Sequence, residues 1–236
     1  MTYQLRPEED AGGSVLSVFC DVRARMPFVP ALFKALASDP AALELAWLQA
    51  RALYDDPRAA QAGSRLVPLA RPHLAYRPSR AVRAAVAPFA AELPSLLLVV
   101  TSLGLSLEGT HPLRSPPPAR LPDPEPLPET PVPEPKEEHP LYDDIRAVYG
   151  TEHVPSMYKA LAAGRLLAEP WGQVGPFLAA PEGRKLVADV EAAADSEARA
   201  FPEYAFFAAA SARSVLGQFQ RALPRNLVFA MAATSS

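Results

Sequence analysis

The chain has 236 residues, 49% hydrophobic and 21% charged, with a net charge of −3. That is apolar material enough for a real core in one large or two small domains. It leaves no basic surplus to hold a phosphate backbone, which argues against nucleic-acid binding. The one cysteine, Cys20, excludes an internal disulfide, so nothing points to an oxidising compartment.

Residues 1–10 are polar and acidic and lack the basic start and apolar stretch of a signal peptide. Val15, Val18, Phe19 and Val22 then recur at three- and four-residue spacing, the period of a helix with one buried face. Cys20 lies on that face and is expected to pack as a small buried hydrophobe. After Asp21-Val-Arg-Ala comes Val29-Pro-Ala-Leu-Phe-Lys-Ala-Leu-Ala37, then Leu43, Trp47 and Ala50 on a further helical period. Pro40, Pro57, Pro78, Pro94, Pro181, Pro202 and Pro224 all stand where a helix could begin, because the first turn tolerates a missing N–H. The most apolar run, residues 96–107, is broken by Thr101, Ser102, Gly104 and Ser106 and is shorter than the roughly 18 residues of a membrane span. These features predict a soluble, cytoplasmic protein with no membrane partner.

Residues 112–140 are crowded with prolines, including Pro116-Pro-Pro118. Each proline fixes φ and removes a donor, so an extended surface linker is expected here. Beyond it the first pattern returns. Asp144-Ile-Arg-Ala precedes Val154-Pro-Ser-Met-Tyr-Lys-Ala-Leu-Ala162, Trp171 follows as Trp47 does, and Tyr204, Phe207 and Ala208 resume the helical period. Phe219 and Leu223-Pro-Arg-Asn-Leu-Val228 echo Phe89 and Leu93-Pro-Ser-Leu-Leu-Leu98. Several matches in one order indicate a duplication. No long period-two alternation and no Asn-Gly turn appears, so the fold class is all-α, with five or six helices per half. The expected organisation is one body: repeat 1 over 1–111, linker over 112–139, repeat 2 over 140–236. A pseudo-twofold pairing would leave a ligand cavity at the shared face.

The paired Asp-(Val/Ile)-Arg helices, the Val-Pro-x-x-aromatic-Lys-Ala-Leu-Ala helices and the tryptophans that follow resemble the DehI-type, non-stereospecific 2-haloacid dehalogenases over nearly the whole chain. The resemblance implies an all-α homodimer in which a buried aspartate activates water to displace halide from the α-carbon of a small 2-haloacid. It aligns that aspartate with Met157, just after Ser156, and a polar asparagine with Leu93. It implies pocket-lining positions at Phe28, Ala31, Leu93, Ser156, Met157, Phe219 and Gln220. Methionine cannot take a proton from water, so the expectation is a divergent member that binds a small apolar or carboxylate ligand without the family's hydrolytic step. Two alternatives stand beside it: a carbon–halide hydrolase with Glu92 as the substitute carboxylate, or a non-catalytic structural or interaction protein. The plainer role for Glu92 is a surface residue, and for Asp21 and Asp144 a solvated or structural one beside Arg23 and Arg146.

Other chemistry finds no support. His73, His111, His139 and His153 show no metal-ligand spacing, so no metal or other cofactor is expected. Glu152-His153 reads as a solvent-facing loop pair. Ser156 has no neighbouring base, and Gly12-Gly13 lacks the spacing of a phosphate loop. Trp47 and Trp171 are expected to be core anchors.

Overall fold

The computed structural model describes residues 4–108, 120–128, 139–201 and 210–235. Among these there is no strand; ten α-helices follow a short 3-10 turn at Glu8–Asp10. Five precede the proline-rich stretch: α1 (Gly13–Arg23), α2 (Ala31–Leu36), α3 (Pro40–Tyr54), α4 (Pro57–Leu69) and α5 (Arg80–Glu108). Five follow it: α6 (Tyr142–Tyr149), α7 (Ser156–Ala163), α8 (Ala168–Ala179), α9 (Pro181–Ala198) and α10 (Ala210–Thr234). The all-α expectation holds. Residues 120–128 carry no helix or strand and are largely exposed. His111, Pro116 to Pro118, Pro202, Tyr204, Phe207 and Ala208 lie outside the described residues.

Local chemistry explains the helix ends. α3, α4 and α9 begin on Pro40, Pro57 and Pro181. Asp39 caps α3, its Oδ1 accepting from the Ala42 N–H at 3.1 Å. Pro78 lies just before Ser79, whose Oγ accepts from the Val82 N–H at 3.3 Å at the start of α5. α2 and α7 follow Pro30 and Pro155, both at φ −57 and ψ 144. α6 stops at Gly150, whose φ of 62 only glycine adopts freely; its N–H returns to the Arg146 carbonyl at 2.8 Å.

Pro94 and Pro224 are a correction, since both lie inside helices. Each removes one i→i−4 bond, a cost of about 3 kcal/mol. The flanking apolar side chains, Leu93, Leu96 and Leu97 in α5 and Leu223, Leu227 and Val228 in α10, are all buried and offset it. The prolines therefore do not end the apolar helix, and α5 runs for 29 residues. By length and composition α5 could cross a membrane, which corrects the shorter span expected from residues 96–107. Half of its most apolar window is buried within the protein, and Leu97, Leu98, Val100 and Leu103 are 1% exposed or less. That is the burial of a core helix.

The chain forms two compact units, each drawing on both sequence halves. Unit 1 comprises Met1–Ala60, Leu98–Pro131 and Asp195–Gln220. Val18, Phe19 and Val22 of α1, Leu32 and Phe33 of α2, and Leu43 and Trp47 of α3 fill its core. The Gln220 side chain lies against Gly104; a Cβ on Gly104 would stand 3.0 Å from Gln220 Cδ. Unit 2 comprises Gln61–Leu97, Val132–Ala194 and Arg221–Ser236. Its core gathers Ile145, Tyr149, Tyr158, Leu161, Trp171, Val174 and Phe229.

Candidate functional site

In unit 1, α1 and α3 present Asp21 to Trp47. Asp21 is 6% exposed, and its Oδ2 accepts from the Trp47 indole N–H at 2.8 Å. Two guanidiniums share the carboxylate, Arg25 at 2.8 Å and Arg51 at 3.2 Å. Asp55 closes the ring by accepting from Arg25 at 3.0 and 3.2 Å, and the Arg25 bonds hold its carboxyl below the usual range. This corrects the expected pairing with Arg23, which bonds Glu8 at 2.9 Å instead. Lys34 reaches the same Glu8 at 3.1 Å, so one buried carboxylate from the N-terminal segment faces two buried cations.

Cys20 is also corrected. It is half-buried rather than fully packed, and its Sγ donates to the Glu125 carbonyl at 3.2 Å. Arg51 donates to the Arg120 carbonyl at 3.4 Å, so residues 120–128 are tied to α1 and α3. Deeper in unit 1, Gln49 donates to Ser102 Oγ at 3.1 Å and Ser106 Oγ at 2.8 Å. Nothing local in the sequence marks this buried polar cluster, because Ser102 and Ser106 stand out only as interruptions of an apolar run.

In unit 2 the same motif geometry recurs with less charge. Asp144 accepts from the Trp171 indole N–H at 2.6 Å, but Asp144 is exposed, and Arg146 bonds Asp143 at 2.8 Å rather than Asp144. Phe33 meets Trp47 edge-on at 5.2 Å in unit 1; Tyr158 meets Trp171 edge-on at 5.5 Å in unit 2. The tryptophans are core anchors, 0% and 2% exposed. Tyr158 adds a 2.6 Å hydroxyl contact to Tyr149, and burial pushes both phenols up. Glu152 is exposed and His153 half-buried on the turn before α7.

The candidate site residues divide between the units. Phe28, Ala31, Phe219 and Gln220 belong to unit 1; Glu92, Leu93, Ser156 and Met157 belong to unit 2. Met157 is 3% exposed in the first turn of α7, Ser156 beside it is half-buried, and Leu93 is 6% exposed. Glu92 is half-buried between Pro88 and Pro94 of α5 and meets no hydrogen-bond or ion-pair partner among the described residues. Burial raises its carboxyl pKa. A surface hollow of about 570 Å³ in unit 1, lined by Arg6, Asp10 and Ser38 among others, contains none of these residues.

The helices and their order define an all-α protein built around long, proline-interrupted core helices. No family model and no curated relative matches the chain. Solved structures do. A D-2-haloacid dehalogenase mutant in complex with D-2-CPA superposes with a TM-score of 0.81 at 18% identity, covering 99% of this chain and 95% of that one. The same coverage and identity hold for a D-2-haloacid dehalogenase with L-LA, at 0.79, and for a further mutant, at 0.80. The chain has a 2-haloacid dehalogenase-like fold.

Proposed function

We propose that this chain is a divergent relative of the DehI-type 2-haloacid dehalogenases that binds a small apolar or carboxylate-bearing acid and does not carry out the family's hydrolysis. The observation that carries the proposal is the burial of Met157 in the first turn of α7. In the family-type reaction a carboxylate takes a proton from water. The water oxygen then bonds the α-carbon as the carbon–halogen bond breaks and halide leaves. A thioether in the aligned position cannot accept that proton, and losing a general base costs about 10²–10⁴ in rate. Incubation with D- and L-2-chloropropionate is expected to release no chloride above buffer, while small 2-substituted acids raise the melting temperature by binding. Turnover of either enantiomer sinks the proposal. The resemblance also implies a homodimer of duplicated halves, which light scattering tests for oligomeric state.

Glu92 favours a second reading, an active hydrolase. It is the half-buried carboxylate whose pKa burial raises, and no partner among the described residues occupies it. Chloride release that disappears in Glu92→Gln would select this reading.

A further inference from the structure

The basic residues are unevenly spread. Residues 57–91 hold six of the 23 basic side chains and none of the 26 acidic ones, so the rest of the chain carries −9. Arg58, in the first turn of α4, belongs to unit 1 and pairs with Asp56; residues 61–91 lie in unit 2 and supply the rest of α4, the loop over residues 70–79 and the start of α5. Arg71, His73 and Arg77 are exposed on the loop, and Arg80 is exposed at the first position of α5. Glu169 fixes the loop's course by accepting from the Tyr76 hydroxyl at 3.2 Å and the Ser79 N–H at 2.9 Å. Leu69, at the head of the loop, is 50% exposed, the only large hydrophobic so exposed among the described residues. An exposed apolar side chain two residues before an exposed arginine, at the head of a loop that carries another and ends on a third, has the make-up of an interface, with an apolar anchor and a guanidinium rim.

We propose that this face docks an acidic protein segment that places an apolar side chain on Leu69. Charge selects the occupant. A twofold contact of the patch with itself would set arginine against arginine. A nucleic acid held by its phosphates calls for a longer basic track than the exposed Arg71, Arg77 and Arg80 provide. A lipid surface calls for a broad apolar face, and here there is one leucine. Carboxylates match the sign and suit the planar guanidinium fork. Nothing in this inference depends on the dehalogenase-like reading.

A short fluorescein-labelled peptide of glutamate and aspartate around one leucine, titrated with the full chain at low salt, tests it by anisotropy. Saturable binding should weaken as salt rises. The triple variant R71E/R77E/R80E should lose about tenfold or more in affinity. Leu69→Ser should lose roughly threefold to tenfold, the scale of one uncovered apolar anchor. These side chains are exposed, so circular dichroism should show unchanged folding. Equal binding by wild type and variants overturns the proposal. So does tighter binding of a single-stranded oligonucleotide or a phosphatidylserine vesicle through the same residues. A dimer that Leu69→Ser converts to monomer would also overturn it, by making the face a contact between copies.

Discussion

Asp21 and Asp144 occupy matching places in their motifs, and each holds a tryptophan indole, yet they meet different surroundings. Asp21 is buried with two guanidiniums on its oxygens. Asp144 is exposed and holds Trp171 alone among the described residues. Replacement by asparagine keeps an acceptor for the indole and removes the charge. Asp21→Asn is therefore expected to cost about 1.5–3 kcal/mol, because two cations lose a charge-assisted partner in a poorly hydrated place. Asp144→Asn should cost under about 1 kcal/mol, as exposed charges do. Urea denaturation midpoints of the two variants check the difference; equal losses would show that the Arg25 and Arg51 contacts contribute nothing. The sequence made the aspartates and tryptophans visible as separate repeated features. It did not reveal that they bond each other, because the partners are 26 and 27 residues apart and lie on different helices. Nor did it reveal Arg25, Arg51 and Asp55 as one ring: Asp21–Arg25 and Arg51–Asp55 are local i,i+4 pairs, but the bonds that join the two pairs, Arg25 to Asp55 and Arg51 to Asp21, cross between helices far apart in sequence.

Helices were the legible element, because a 3.6-residue apolar period survives any tertiary context, whereas single prolines and glycines take their meaning from what lies opposite. Gly172 and Gly183 make this testable. A Cβ on Gly172, exposed in α8, meets nothing within 4 Å. A Cβ on Gly183, in the first turn of α9, would collide with the Phe177 carbonyl oxygen and stand 2.7 Å from its carbon. Gly172→Ala should stabilise by about 0.5–1 kcal/mol through helix propensity. Gly183→Ala drives a methyl into backbone and should destabilise by about 1–3 kcal/mol or more. Thermal melts of the pair decide; a neutral Gly183→Ala would mean that the α8–α9 corner yields freely. The α4–α5 loop gives a pH-dependent case. The Ser79 N–H bonds Glu169 and holds its carboxyl below the ordinary value. A depressed folded pKa means the staple stabilises above the usual carboxylate range, near pH 4, and is lost as pH falls through the folded value. Glu169→Ala should therefore melt slightly below wild type at pH 6, by about 2 °C. The gap should shrink as pH falls through the folded value. A gap that stays constant into acid would tie the effect to packing rather than to the carboxylate.

At the scale of the molecule, repeated motifs divide the chain at its proline-rich stretch, while the contacts divide it elsewhere. Repetition is local and can be read along a line. Which helix fills which core is long-range, and only the folded chain records it. Four of the dividing points fall inside helices: in α4 between Ala60 and Gln61, in α5 between Leu97 and Leu98, in α9 between Ala194 and Asp195, and in α10 between Gln220 and Arg221. Unit 1 takes Val215, Leu216 and Phe219 from the C-terminal helix, all buried, and unit 2 takes Leu66, Val82 and Val86 from the N-terminal half, also buried. Residues 1–111 on their own thus lack part of one core and keep helices that belong to another. Each missing large apolar side chain withdraws about 1.5–3 kcal/mol, against a whole-domain stability of about 5–15 kcal/mol. A fragment of residues 1–111 is expected to retain helical circular dichroism, bind ANS and melt without a sharp transition. The full chain cut once by a protease site engineered into residues 123–126 should keep both pieces together and melt cooperatively, because the cut falls in largely exposed backbone without helix or strand. A cooperative, ANS-silent melt of the isolated fragment would show that the first half is a self-sufficient domain and that α10 only decorates it.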